Sequence, residues 1–384
     1  RPPYKAYLAR AAFNYERSQN AVQDDVRDAA LAQARNDIEL SVKDWKESVE
    51  PQTKSPEDDE ESAAEDDAPL MAATSIYLAS ASRAAELGDA AAADAYIAQA
   101  RQSAVAAHNR DPANLQNYLL LSNVEQTAEH SKPPTERDWS SSIQVLKDGL
   151  AQIPESQQIP TGEELHLRLT LVEQLIRAGY WRKSAGAEKN RELDEAFALL
   201  KERNAPSDRV EYLRALQLFE QKDWVAAATA LGDVRERFIN DPQISLPLNS
   251  MLAICYAQLG NRDLQLQALQ RTKELAPLNP RVRFQLASAL TLANRIDDAA
   301  NELSQVSLRH EGAATVAAEL LMRRQLQRPQ PQRKWSDTVE TMQNTLLTNL
   351  EKIDRKFSND WTAVKITMAR AYNNQATDLA GTVP

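Results

Sequence analysis

The sequence predicts an all-α protein, on three observations. The 384-residue chain contains only 9 glycines, about 2% where a soluble protein averages about 7%. Alanine, leucine, glutamine, glutamate and arginine are frequent, and their side chains lose little freedom on a helix. Apolar residues recur three and four positions apart, which is the spacing of a helix with one buried face.

Two helices are predicted at the N-terminal end. Residues 4–19 place an apolar stripe on one side, made of Tyr4, Tyr7, Leu8, Ala11, Ala12 and Tyr15. Residues 21–49 continue this pattern from Val22 to Trp45. Pro51 ends the second helix, because proline lacks the N–H group that a helix interior needs.

Residues 50–69 are predicted to form a flexible linker. The segment is rich in proline, serine and acid, and it cannot bury enough apolar surface to offset the entropy of ordering. Its acids follow one another without a base: Glu57, Asp58, Asp59, Glu60, Glu61, Glu65, Asp66 and Asp67. A solvated spacer is one interpretation, and attraction of a basic partner is the other.

The net charge of −10 comes mostly from that linker. Subtracting its eight acids from the 55 in the chain leaves 47, against 45 lysines and arginines. A chain this acidic binds polyanions poorly. We therefore expect no nucleic acid as its main partner, and an RNA-reading helical repeat is disfavoured.

From residue 70 onward the helical segments come in pairs, and three segments of 34 residues align: 208–241, 246–279 and 280–313. Small residues fall in register at Ala215, Ala253 and Ala287, larger ones at Leu218, Tyr256 and Leu290, and a further apolar row at Leu231, Leu269 and Leu303. The predicted turns within the pairs are Lys222–Asp223, Gly260–Asn261 and Asn294–Arg295. Such residues end one helix and begin the next.

This order of small residue, large residue, turn, Ala, Leu and Pro at a 34-residue period resembles the tetratricopeptide repeat family. The best unit is MLAICYAQLGNRDLQLQALQRTKELAPLNP, and KDWVAAATAL is similar to the start of a second repeat helix. The resemblance implies a right-handed superhelical solenoid of antiparallel helical hairpins. It also implies that the chain binds a peptide or a protein surface on its concave wall.

The predicted organisation has five parts. They are N-terminal helices at 1–49, the acidic linker at 50–69, degenerate hairpins at 70–206, three clear repeats at 207–313, and C-terminal helices at 314–384 that could cap the stack. The degenerate hairpins are expected at 74–110, 113–154 and 162–206. Their loops at 130–137 and 181–189 are longer than the tight turn of the family.

Motifs for catalysis or for a cofactor are absent from the sequence. The four histidines lie at least 22 positions apart, so no local metal-binding spacing exists. Cys255 lies between apolar neighbours and is interpreted as a packed side chain. No clustered-glycine phosphate loop and no GxSxG or SxxK motif occurs. We predict no catalytic, cofactor-binding or metal-binding residues, and no enzymatic activity.

Two sets of residues are candidates for binding. The family resemblance implies a peptide-binding groove, whose predicted residues are Arg209, Tyr212, Leu216, Phe219, Arg281, Phe284 and Ser288. The Lys and Asn residues that chaperone-binding members use to clamp a carboxylate are missing from these helices, so chaperone tails are not expected. A basic stretch is the other set: Arg323, Arg324, Arg328, Arg333 and Lys334. It is either an anion-binding patch or a solvated loop between helices.

The sequence favours a non-catalytic scaffold for protein–protein interaction. The alternative is a regulatory or substrate-presenting segment of a larger bacterial enzyme or envelope assembly protein, suggested by the start at Arg1 and the Ala- and Gln-rich style. No stretch is long and apolar enough to insert into a membrane. We expect a location in the cytoplasm or in a soluble extracytoplasmic part of an anchored protein; the oligomeric state stays open.

Overall fold

A computed structural model describes residues 3–21, 24–48, 67–133, 135–154, 159–277, 279–306, 308, 310–353 and 355–380. Within these residues all regular structure is helical, in antiparallel hairpins of tetratricopeptide-like type, which confirms the predicted fold class. The helices are α1 Pro3–Gln19, α2 Asp24–Ser48, α3 Ala68–Glu86, α4 Ala90–Arg110, α5 Leu115–His130, α6 Ser140–Ala151, α7 Gly162–Arg177, α8 Ala187–Glu202, α9 Ser207–Glu220, α10 Trp224–Arg235, α11 Pro242–Gln258, α12 Arg262–Leu275, α13 Pro280–Leu292, α14 Ile296–Leu303, α15 Ala313–Leu326, α16 Trp335–Thr341, α17 Thr348–Lys352 and α18 Asn359–Ala380. Contacts between helices divide the chain into two compact units, Arg1–Asp223 and Trp224–Pro384.

The first unit is a row of hairpins, α1/α2, α3/α4, α5/α6 and α7/α8, followed by α9. Its odd-numbered helices pack on one another in succession, from α1 to α9. Small side chains fill much of the core, with Ala34, Ala100 and Ala104 fully buried. Alanine at a helix crossing lets two backbones approach closely, which is why an alanine-rich sequence can build this row.

Buried carboxylates tie the first unit together. The Asp37 side chain is completely buried between α1 and α2, where it contacts Arg10 and accepts hydrogen bonds from Asn14 and Gln33, each at 3.1 Å. Burial alone would raise the pKa of Asp37, but these donors bring it below its usual value. Charge-assisted hydrogen bonds therefore stabilise the α1/α2 hairpin.

The turns that follow the first helices of the repeats share one hydrogen-bond geometry. Gly260, at φ 71°, and Asn261 donate their N–H groups to carbonyls of the last turn of α11, at 3.1 and 2.9 Å. Lys222 at φ 62° and Asn294 at φ 59° end α9 and α13 with the same pair of bonds. This is the Schellman arrangement, in which a left-handed residue closes a helix. The three predicted turn positions are confirmed.

The second unit contains α10, the hairpins α11/α12 and α13/α14, and a C-terminal group of helices. The small residues predicted in register are buried, with Ala253 3% and Ala287 0% exposed. In the C-terminal group α15 packs against α18, as does α16, around Met322, Trp335 and Leu350. The short stretch Met342–Leu347, which joins α16 to α17, is a π-helix.

Asp360 joins α18 to the start of α15. Its side chain is 1% exposed, and it accepts hydrogen bonds from the backbone N–H groups of Gly312 at 2.9 Å and Thr315 at 3.2 Å. The hydroxyl of Thr315 donates to the same carboxylate at 2.5 Å. Asp360 thus caps the N-terminus of α15 from a distant position in the sequence.

The predicted acidic linker lies largely outside the described residues, which resume at Asp67. Asp67 itself differs from the prediction of a solvated spacer. It is 3% exposed, and its carboxylate lies 2.7 Å from Nε of Arg110. Because α3 begins at Ala68, the last residues assigned to the linker belong to the packed first unit. The division into five parts otherwise stays a prediction.

Candidate functional site

The predicted groove residues of α9 lie in the first unit. Arg209 and Phe219 are half-buried, whereas Tyr212 is 6% exposed and Leu216 only 1%. The resemblance implies that all four line an open groove. Tyr212 and Leu216 differ from that implication, because both are buried within the first unit, where α9 packs against α7. Neither side chain offers surface to a partner.

Charged side chains of α7 and α9 surround Tyr212. The guanidinium of Arg177 donates two hydrogen bonds to Glu173, at 2.8 and 3.1 Å, and lies 4.0 Å from Glu220. Burial, with the nearby Glu173 carboxylate, raises the pKa of Tyr212 far above its usual value. Burial also raises the pKa of Glu220, against the influence of Arg177. These contacts hold α7 and α9 together, and the charged groups of the cluster pair with one another.

The second unit carries accessible side chains on its first helices, α11 and α13. Ile254 is 42% and Leu292 57% exposed, and Arg281 is exposed as well. Phe284 and Ser288 are half-buried. The spacing of 281, 284, 288 and 292 places four of these positions along one face of α13. We call Ile254, Arg281, Phe284, Ser288 and Leu292 the second-unit face.

Phe284 partly serves packing between neighbouring elements. Its ring lies 4.6 Å from that of His310, centroid to centroid. A Cβ atom at Gly312, which has φ 85°, would come within 2.7 Å of the ring. The glycine therefore permits both the left-handed backbone and the close approach of the aromatic side chain. The rest of the Phe284 surface stays available on the second-unit face.

The basic stretch is mostly paired with carboxylates of the second unit. Arg324 lies 2.7 Å from Asp297, and Arg333 lies 3.1 Å from Asp378. The other partners are Glu319 for Arg323, Asp337 for Lys334 at 3.9 Å, and the Gln325 amide for Arg328 at 3.5 Å. These pairs connect α14, α15, α16 and α18, so the stretch has a structural role. Binding of an anion to the basic stretch stays a prediction, and the stretch is distinct from the second-unit face.

Three clefts of the second unit lie beside successive hairpins, and the sequence did not predict them. A cleft of about 350 Å³ between α10, α11 and α12 is lined by polar residues including Arg235, Gln267 and Glu274. The next, of about 480 Å³ between α12, α13 and α14, is also mostly polar. The third, of about 280 Å³, is apolar and is lined by Ile296 and Leu321 with the π-helix. The sequence signals for the third cleft were the apolar spacings of 296, 300 and 303 on α14 and of 317, 320 and 321 on α15.

Residues with possible chemical reactivity are inert or dispersed. Cys255 is fully buried, and burial raises the pKa of its thiol to about 11. Among the described residues there is no group of three or more His, Cys, Asp or Glu side chains that could hold a metal ion. Nor does any described helix combine the length and apolarity needed to cross a bilayer.

Comparison with known proteins finds similar chains among solved structures. No family model matches the chain, and no curated protein matches its sequence. Among solved structures it is similar to yeast Tom70, with 15% identity and a TM-score of 0.40 over 98% of this chain and 75% of that one. It is also similar to a circular tandem repeat protein, with 10% identity and a TM-score of 0.32 over 98% of both chains. The fold assignment rests on the helices and turns of the chain itself.

Proposed function

We propose that this chain is a protein-interaction scaffold that binds a peptide or a helix of another protein on the first helices of its hairpins. The open second-unit face carries this proposal. Side chains on the opposite side of α11 and α13, such as Leu252 and Leu286, are buried. The residues of the face remain accessible although two of them are large aliphatics.

The physical chemistry of the face suits a polypeptide. Fully burying an exposed aliphatic side chain against a partner stabilises a complex by roughly 1.5–3 kcal/mol. Ile254 and Leu292 are 42% and 57% exposed, so burying the remaining surface of each supplies about half of that energy. Arg281 adds a forked donor for a carboxylate or a backbone carbonyl. A few such contacts dominate the affinity of most protein interfaces.

The test uses a displayed library of random peptides, selected against the full chain. Selected peptides are then titrated by fluorescence anisotropy against the wild type and against the triple variant Ile254→Asp, Arg281→Glu, Leu292→Asp. We expect a loss of affinity of at least tenfold in the variant, because its charges oppose burial of the anchors. Selection of no peptide, or equal binding by the variant, would contradict the proposal.

The matched control replaces two aliphatic residues and one arginine on second helices of the same unit. Its substitutions are Val225→Asp, Arg262→Glu and Leu264→Asp, all at exposed positions. Affinity for the selected peptides should stay within twofold of the wild type. Circular dichroism should show equal helix content in both triple variants, so that a loss of binding is not a loss of folding.

Several narrower predictions stand beside this proposal. We propose a soluble location, in the cytoplasm or in an extracytoplasmic part of an anchored protein. The alternative role, a regulatory or substrate-presenting segment of a larger bacterial assembly, predicts a catalytic or envelope partner for the same face. Identifying the protein that the second-unit face captures in the native host distinguishes it from a general scaffold.

A further inference from the structure

The loop between α17 and α18 presents an aromatic side chain in a strained conformation. Phe357 has φ 64°, the left-handed region, which is unfavourable for a residue with a Cβ atom. Its side chain is 74% exposed. A bulky residue with positive φ is a genuine outlier, and such outliers concentrate at functional positions.

The remaining left-handed positions show that this backbone conformation does not require a phenylalanine. Among the residues that the structure describes, these positions, apart from Lys222, are occupied by glycine or asparagine, the residues that tolerate the conformation: Gly88, Gly179, Gly186, Gly260, Gly312, Asn204 and Asn294. Burial does not offset the strain at Phe357, since its side chain is mostly in solvent. Asparagine or glycine at this position would give a more stable fold, which indicates that the phenylalanine ring has a functional role.

Lysines flank the exposed ring. Nζ of Lys356 lies 5.5 Å from the centroid of Phe357, whose ring lies 5.1 Å from that of Trp361. Nζ of Lys365 lies 5.1 Å from the Trp361 centroid, and Lys352, the last residue of α17, is exposed where the loop begins. We call these five residues the aromatic–lysine patch.

The patch is locally basic in an acidic chain. Residues 351–370 hold five lysines and arginines against the acids Glu351, Asp354 and Asp360, while the whole chain carries −10. Asp360 is buried and faces Arg355 at 3.5 Å. Glu351 lies 3.5 Å from Lys356 in an exposed pair, which contributes little. An anionic partner is therefore favoured here and disfavoured by the chain as a whole.

We propose that the aromatic–lysine patch binds the surface of an anionic phospholipid bilayer. An exposed aromatic ring beside lysines is the pairing found at the membrane interface, where the ring enters the headgroup region and the ammonium groups meet phosphate. Interfaces between proteins favour arginine and are depleted of lysine. Each lysine near an anionic membrane contributes only a small favourable free energy, so binding by this patch is weak and reversible. The contact is peripheral, and it uses none of the residues of the second-unit face.

The test is flotation of the full chain with vesicles of phosphatidylcholine alone or with 30% phosphatidylserine, at 50 and 300 mM KCl. We expect at least fivefold more bound protein on the anionic vesicles at 50 mM, and most of it released at 300 mM. Phe357→Asn should lower binding at least threefold. Its unfolding midpoint should equal or exceed that of the wild type, because asparagine tolerates the backbone.

Controls separate the patch from general stickiness. Phe13→Ala removes another exposed phenylalanine, on α1 and 64% exposed, and should leave vesicle binding unchanged. The double variant Lys356→Gln, Lys365→Gln should lower it as Phe357→Asn does. The proposal is overturned by absent vesicle binding, by equal binding to neutral vesicles, or by full binding of Phe357→Asn. Binding to poly-L-glutamate without binding to vesicles would assign the patch to an acidic protein instead.

Discussion

Two glycines inside helices should respond in opposite directions to replacement by alanine. Gly149 lies on α6, where a Cβ atom would come within 2.8 Å of Cγ of Tyr118 on α5. Gly232 lies on α10, where a Cβ atom would meet nothing within 4 Å. Only the surroundings differ, since both residues are interior to a helix.

Two opposing effects decide whether each glycine-to-alanine replacement raises or lowers the free energy of unfolding. Alanine gains up to about 1 kcal/mol over glycine in a helix interior. Overpacking costs about 1–3 kcal/mol, and Tyr118 cannot easily yield because its hydroxyl donates to the carbonyl of Pro112 at 2.9 Å and its ring lies 4.7 Å from that of His108. Gly149→Ala should therefore destabilise α5 and α6 by about 1–2 kcal/mol, whereas Gly232→Ala should stabilise α10 by about 0.5–1 kcal/mol.

Hydrogen exchange followed by mass spectrometry reports both effects locally, which matters in a chain with two compact units. In Gly149→Ala, amides of residues 115–151 should exchange roughly 5–30-fold faster, the factor that corresponds to 1–2 kcal/mol of opening free energy. In Gly232→Ala, amides of residues 224–235 should exchange more slowly. Unchanged or slower exchange around Gly149 would refute the reasoning, as would faster exchange around Gly232.

Further predictions concern three kinds of buried or partly buried group. Asp360→Ala should destabilise the second unit by about 2–4 kcal/mol in denaturant, because the donors at the start of α15 lose their acceptor; a change below 0.5 kcal/mol would contradict the capping role. Cys255 should react with a thiol reagent at pH 8 at least 100-fold more slowly in the folded chain than in urea, and fast labelling would disprove its burial. Partial desolvation lowers the pKa of His130 and of His166. Stability from these two histidines is therefore present above about pH 6.5 and is lost as pH falls through their lowered pKa values. The melting temperature of His166→Gln should depend less on pH in that range than that of the wild type, and an unchanged dependence would contradict the assignment.

The hairpin register could be predicted from sequence because its causes are local. A residue that tolerates positive φ, placed after an apolar helix, fixes a turn, as at Gly260 and Asn294. The buried alanines at 253 and 287 follow from the 34-residue period alone. These features need no knowledge of which helices meet in space.

The candidate binding surface could be predicted only in part, because exposure depends on distant elements. The period gives the same role to positions on α9 and α13, yet Tyr212 is covered by α7 while Leu292 is open. The basic stretch likewise finds its acids far along the chain, with Asp297 27 positions from Arg324 and Asp378 45 positions from Arg333. No local pattern encodes such pairs. The strain at Phe357 is equally invisible until φ is known.

At the π-helix between α16 and α17, the number of residues can change by one without changing which side chains on either side face the core. A π turn accommodates an additional residue inside a continuous helical rod, so the flanking residues Val339 and Leu350 both stay in the core. Deleting one residue between 342 and 347 should let the rod rewind as an ordinary α-helix with both flanks in place. The same deletion within α15 would rotate everything after it by about 100° and turn buried side chains toward water. The second unit thus has one position where evolution could shorten a core helix at little cost.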